Sequence, residues 1–347
     1  MAKSKTLTRI LLVSIIVLTL LSACSSGAPA ADPTLAPPTA VPPTAVPPTE
    51  PPPPTPAPGI TALVTAGESD TTHLASIQAQ LESLAQSSEQ SLEVRADLQP
   101  ADISPEWKQI VYLAPPANLT DLLNAAPQTQ FIVASEIDLT PAPNLSVIRK
   151  YPEEQAFIAG YAAVVIANDW RAAALLPSDE PLGTLKTTGF VKGGQYHCGL
   201  CNSYYSPVVR FPIYYSIPAN SAPGQWLGGA DELALSYVYV YYVAPEAASP
   251  DLMYTLATRS VILLGGQSPT PEIVNLYAGT IRYDVATALN TIWPAVSSGQ
   301  GGQTIKANIH LTDINPTIFP PGKQTFVQKA IDDLQAGLIY PLDPLVE

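Results

Sequence analysis

The sequence predicts an α/β fold of two lobes, each a largely parallel sheet covered by helices, and three observations predict it. Short apolar runs alternate with amphipathic helical stretches from Gly59 onward, the β-α-β order that makes a parallel sheet. The alternating part covers about 290 residues, more than one hydrophobic core ordinarily serves. Within it the helix predicted over 153–168 is apolar on every side at its centre, Ala156-Phe157-Ile158-Ala159-Gly160-Tyr161-Ala162-Ala163, and so must be buried.

Ahead of that part, Lys3, Lys5 and Arg9 precede an uncharged, largely apolar run, 10–21, ending in Leu21-Ser22-Ala23-Cys24. A cationic start, an apolar middle and small residues before a cut site mark a signal peptide, 1–23. The run has about 12 residues where a membrane span needs roughly 20. The Leu-Ser-Ala-Cys quartet resembles a bacterial lipobox, which implies cleavage before Cys24, diacylation of its sulfur and an extracytoplasmic protein lipid-anchored to the cell membrane. From 24 to 58 the chain is mostly Pro, Thr, Ala and Val, with Pro-Pro-Thr-Ala-Val written at 37–41 and again at 42–46. Such a linker is expected to be disordered and extended; about 30 residues of polyproline II at ~3.1 Å each would reach about 90 Å.

Loss of the three cations in 1–23 moves the formal net charge from −13 to −16. The remaining Lys and Arg are scattered and outnumbered by 29 Asp and Glu, so there is no basic stripe to release counterions, and nucleic acid is excluded as a partner. The Val, Ile, Leu and Tyr of the rest suffice for a full core.

In order, strands are expected at 60–65, 92–96, 109–113, 130–134 and 145–148, with helices at 71–86 and 119–125. The first helix places Leu74, Ile77, Leu81 and Leu84 on one face. After the 153–168 helix, strands are expected at 172–176, 211–217, 236–243 and 260–264, with helices at 182–194, 225–233, 250–257 and 284–297. A strand at 305–311 and a helix at 323–336, stopped by Gly337, complete the chain. The division that follows is lobe I at 59–150, lobe II at 151–280, and hinge crossovers with return elements at 281–347.

The stretch Glu153-Glu154-Gln155-Ala156-Phe157-Ile158-Ala159-Gly160-Tyr161-Ala162-Ala163 resembles the signature block of the basic membrane protein family. Asp313-Ile314-Asn315 before the last helix, and Gly337-Leu338-Ile339 as a closing strand, are similar to that family's ending. The resemblance implies a lipoprotein with two Rossmann-like lobes, similar to type I periplasmic binding proteins, that binds a small-molecule solute and hands it to an ABC permease. Nucleoside-binding members carry a Ser-Phe-Asn type motif after the first strand. Here Glu68-Ser69-Asp70-Thr71-Thr72 stands in its place, with no aromatic to stack on a base.

In open α/β sheets, ligands lie beyond the carboxyl ends of the strands, where helix N-termini present amide groups. That rule selects Glu68, Ser69 and Asp70 after the first strand, Pro115 and Pro116 after the third, Ser135 and Glu136 after the fourth, and Gln267 after Leu264-Gly265-Gly266. Asp70 also reads as an N-cap for the helix that begins at Thr71, and both readings stand. Tyr204 and Trp226 lie between strands of the second lobe, where a planar side chain could stack on a flat ligand. Tyr237, Tyr239 and Tyr241 share one face of a strand and are expected to be buried.

Cys198 and Cys201 are the cysteines left once Cys24 is lipidated. In an oxidising compartment they are expected to form a disulfide closing a tight loop. A redox pair would want the motif at a helix N-terminus after a first strand. A metal site with His197 would offer three ligands where structural zinc takes four. No P-loop, Gly-x-Ser-x-Gly elbow or metal-spaced pair among His73, His197 and His310 is present. The adjacent carboxylates Asp231-Glu232 and Asp332-Asp333 would point apart on a helix. No enzyme, cofactor or metal is therefore expected. The leading expectation is a solute-binding lipoprotein, with a ligand-sensing lipoprotein lacking a transporter, or a structural surface protein, as alternatives.

Overall fold

The computed structural model describes residues 59–342. The expected signal peptide, the expected lipidation of Cys24, the linker of 24–58 and residues 343–347 lie outside the described residues. In lobe I, β1 (Gly59–Val64), α1 (Thr71–Ser87), β2 (Gln90–Arg95), β3 (Trp107–Tyr112), α2 (Leu119–Ala125), β4 (Gln130–Ser135) and β5 (Leu145–Arg149) follow one another. The strands pair in the order β2-β1-β3-β4-β5, every neighbour parallel. β4 is buried along its whole length, as a strand covered on both faces must be.

Lobe II repeats the pattern. It contains α3 (Pro152–Ile166), β6 (Ala172–Pro177), α4 (Leu182–Cys198), β7 (Ile213–Ile217), α5 (Pro223–Ala234), β8 (Val240–Val243), α6 (Pro250–Thr258), β9 (Ile262–Gly265) and β10 (Tyr277–Tyr283). Its order is β7-β6-β8-β9-β10, again all parallel. The chain then returns to lobe I with α7 (Val285–Ser297), which packs on α1, and β11 (Thr304–Lys306), which joins β5 in parallel. It ends in lobe II with β12 (Ile309–Thr312), antiparallel to β10, and α8 (Pro321–Gln335), which packs on α3.

The lobes are thus joined by three crossings, at 149–152, 283–285 and 306–309. The crossings brace each other: Ala307 donates its N–H to Arg149 O at 2.9 Å and Asp284 to Asn308 O at 2.7 Å. The α3 helix is buried throughout except at Glu153 and Glu154. Its burial depends on glycine. A Cβ on Gly160 would strike the Phe190 carbonyl oxygen, and one on Gly193 the Phe157 carbonyl oxygen, so α3 and α4 touch backbone to backbone.

Several expectations change. The single strand at 305–311 is two strands in different sheets, because 307–308 is a crossing between lobes. The strand β10 had no counterpart in the sequence reading, and the expected lobe boundary at 280 falls inside it. The strand at 236–243 begins only at Val240: Tyr237 has a φ of 53°, which extended backbone does not allow. Tyr241 is buried as expected, but Tyr237 and Tyr239 face solvent. Residues 337–339 form no closing strand. No helix among the described residues is long and apolar enough to cross a membrane.

Candidate functional site between the lobes

The loops at the carboxyl ends of both sheets face one another around a cavity of about 580 Å³. Lobe I contributes Glu68, Ser69 and Asp70 after β1, Leu113 to Pro115 after β3, Glu136 after β4 and Lys150 after β5. Lobe II contributes Glu246 after β8, Gln267 after β9, and Arg282 with Tyr283 at the end of β10.

Two charged clusters bridge the lobes beside this cavity. Lys186 on α4, its side chain 3% exposed, meets Glu136 of the other lobe at 3.0 Å and also pairs with Glu246. Burial alone would lower its pKa, but the two carboxylates outweigh it and raise the value to about 12. Burial likewise pushes Glu136 up, and the charges of Lys186 and Lys150 more than reverse that, leaving it below the usual carboxylate range.

In the second cluster, Asp70 Oδ1 accepts the His73 N–H at 3.0 Å, which caps α1, while Oδ2 accepts the Ser268 N–H at 2.7 Å. The same Oδ2 meets Arg282 Nη2 at 3.1 Å, and Arg282 also reaches Asp313 at 3.2 Å. Burial pushes Asp70 up, yet these backbone bonds and the Arg282 charge bring it below its ordinary pKa. Gln267 Nε2 donates to Ser69 Oγ at 2.8 Å, a third tie between the lobes. Glu68 turns back on its own loop, accepting the Asp70 N–H at 2.9 Å and facing His73 at 3.4 Å.

Lys150 is different. Its ammonium donates to Leu113 O at 3.3 Å and stands 5.8 Å from the centre of the Tyr283 ring. Among the described residues no carboxylate lies within ion-pair distance of it, and burial pushes its pKa down. Nearby, the Tyr283 hydroxyl, Glu246 Oε2 and Arg282 Nε are buried without a hydrogen-bond partner in the protein.

Of the residues singled out from sequence, Glu68, Ser69, Asp70, Pro115, Glu136 and Gln267 line the cavity, and Pro116 does not. Ser135 is wholly buried instead; its hydroxyl donates to Ile137 O at 2.7 Å and accepts the Ile137 N–H at 3.1 Å, shaping the Glu136 loop. Trp226 is no ligand platform: it lies on α5 and is 1% exposed, in the core under the lobe II sheet. Tyr204 is exposed but lines another hollow, with Tyr205, Tyr237 and Tyr239, at the amino ends of β6 and β8. Cys198 and Cys201 are joined at the end of α4, also away from the cavity.

Lys150, Lys186, Glu246, Arg282 and Tyr283 were not found by sequence reasoning. Lys150 and Glu246 follow predicted strands, so the carboxyl-end rule contained the signal for both. Arg282 and Tyr283 were hidden by the missed β10, and Lys186 sits in a helix with nothing local to distinguish it.

The arrangement of two sheets of order 2-1-3-4-5, three crossings and a cavity at the facing carboxyl ends has relatives of known structure. An ABC transporter solute-binding protein from Conexibacter woesei superposes with a TM-score of 0.64 at 14% identity, over 82% of this chain and 98% of that one. The fold is that of a type I periplasmic binding protein. A second ABC transporter solute-binding protein, from Aeropyrum pernix, gives 0.58 at 15% identity over 81% and 92% of the two chains. A transcriptional activator of the comK gene from Bacillus halodurans gives 0.59 at 12% identity over 82% and 99%. No protein-family model and no curated protein sequence matches the chain. At identities this low the likeness is one of fold alone: two lobes and a cleft with loops from both on its walls.

Proposed function

We propose that the chain is an extracytoplasmic solute-binding lipoprotein similar to the basic membrane protein family. It is anchored through Cys24, captures a small molecule between its lobes and delivers it to the permease of an ABC importer. One observation carries this reading: the interlobe cavity is walled by both sheets, and three residues that line it, Glu246, Arg282 and Tyr283, each keep a buried polar atom for which the protein supplies no partner. Such atoms cost stability unless something satisfies them. Glu68, Ser69, Asp70, Glu136 and Gln267 are the proposed contacts from the sequence, joined by Lys150, Glu246, Arg282 and Tyr283 from the structure. Two relatives described as ABC transporter solute-binding proteins support the transport assignment. The relative described as a transcriptional activator favours, as a second reading, a ligand sensor without a transporter.

Binding is tested by thermal unfolding against a panel of nucleosides, sugars, amino acids and peptides. A ligand at 100 times its dissociation constant adds about 2.7 kcal/mol of stability. If no compound of any class moves the transition, both binding readings fail. Anchoring is tested by labelling cells with palmitate: the label is expected on the wild-type chain and lost in Cys24→Ser.

A further inference from the structure

We infer that the solute is a small amino-carboxylate, its carboxylate held by Lys150 and the Tyr283 hydroxyl and its amine facing Glu246. This rests on the solute-binding reading above and names the class of ligand for the same cavity. The inference follows from which groups the protein has already paired. His73 faces Glu68, Arg282 pairs with Asp70 and Asp313, and Lys186 pairs with Glu136 and Glu246. Lys150 is the cation lining the cavity for which the described residues provide no ion-pair partner. An ammonium has three donors, and one carbonyl at 3.3 Å uses a single one.

The Tyr283 hydroxyl is buried and unpartnered, on a ring whose centre is 5.8 Å from that ammonium. Two donors with unused capacity, on residues that line the same cavity, suit an oxyanion, because a charge-assisted bond is stronger than a neutral one. On the other lobe, Glu246 Oε2 is a buried acceptor with no donor. Lys186 serves two carboxylates at once, so the cluster it forms with Glu136 and Glu246 carries a surplus negative charge. An amine placed there offsets the surplus, and a carboxylate at Lys150 keeps the filled cavity near neutral. Leu113, Ala114, Ile137, Leu182 and Val285 supply apolar wall for a side chain. A polyol, with hydroxyls around its whole rim, would leave them unpaired against that wall.

The test uses the full chain in detergent, with the common L-amino acids as probes, followed by the decarboxylated amine and the des-amino acid of whichever binds. At least one amino acid is expected to raise the unfolding temperature. Calorimetry is expected to show the decarboxylated amine binding at least about 30-fold more weakly to the wild-type protein, the scale of losing a charge-assisted bond. Lys150→Met is expected to weaken the amino acid by a similar factor and to leave the amine unaffected. The wild-type comparison needs no variant, so it stands even if Lys150→Met fails to fold. Equal affinity for amino acid and amine overturns the inference, as does a folded Lys150→Met protein that binds normally. If sugars or nucleosides bind and no amino acid does, the inference falls while the solute-binding reading survives. If nothing binds, both fall.

Discussion

Asp70 and Arg282 are 212 positions apart in the chain and 3.1 Å apart in space, and their bond ties the first helix of lobe I to the last sheet strand of lobe II's parallel set. One carboxylate does two jobs, since its other oxygen caps α1. Asp70→Ala removes both: a cap worth about 1 kcal/mol, and one of the two carboxylate partners of a buried guanidinium. We expect a loss of about 2–4 kcal/mol in urea unfolding. Asp70→Asn keeps an oxygen for the cap and is expected to lose visibly less. Equal losses in the two variants would show that the cap carries nothing.

Acid should loosen the same region. Asp70 is held below its ordinary pKa, burial being outweighed by the His73 and Ser268 amides and Arg282. Asp284, which caps α7 beside a lobe crossing, is also depressed, first by its bond to His310 and then by the Thr287 amide, against burial. A carboxylate depressed on folding contributes stability that is present above its unfolded pKa of about 3.9 and fades as pH falls through the folded value. The urea midpoint is therefore expected to fall between pH 5 and pH 3. In the Asp70→Asn, Asp284→Asn double variant that fall should be shallower; an unchanged slope would assign the acid sensitivity to other groups.

Much of the fold was legible because the periodicity was strong. The apolar runs of β1, β3, β4, β5 and β6 and the all-apolar centre of α3 have no other stable placement than a doubly covered sheet and a buried helix. What escaped was what depends on the chain's path between lobes. Residues 305–311 read as one strand, and only the crossing at 307–308 splits them. Residues 277–283, Tyr-Ala-Gly-Thr-Ile-Arg-Tyr, hide an interior strand behind an arginine whose charge is satisfied by Asp70 and Asp313, both distant in sequence. The same reasoning explains the site. Carboxyl-end loops could be named from order alone, whereas Lys186 becomes a site residue only because α4 delivers it to a glutamate of the opposite lobe.

That delivery makes Lys186 a sensitive position. Lys186→Met leaves Glu136 and Glu246, both partly buried, without their shared cation; breaking a fully buried pair by removing one partner costs about 3–5 kcal/mol, and a loss up to that size is expected here. Adding Glu136→Gln and Glu246→Gln should restore much of it, because amides carry no charge to strand. Urea unfolding of the single and triple variants checks both halves. A single variant as stable as wild type would mean that water already screens the pair.

The contact of α3 with α4 sets the position of Lys186, and glycine sets the contact. A Cβ on Gly193 meets the Phe157 carbonyl oxygen, and neither backbone can yield without moving its helix. On propensity alone, alanine would be favoured over glycine in a helix by about 1 kcal/mol. In Gly193→Ala the overlap should win, and a net loss of about 1–3 kcal/mol or more is expected, the range for overpacked cores. Gly228 in α5 is the control, since a Cβ there meets nothing within 4 Å. Gly228→Ala should therefore stabilise, by about 0.5–1 kcal/mol. The opposite signs separate packing from propensity, and thermal or urea unfolding reads both. If Gly193→Ala also stabilises, the helices have room to part, and Lys186 is held in place by its two glutamates alone.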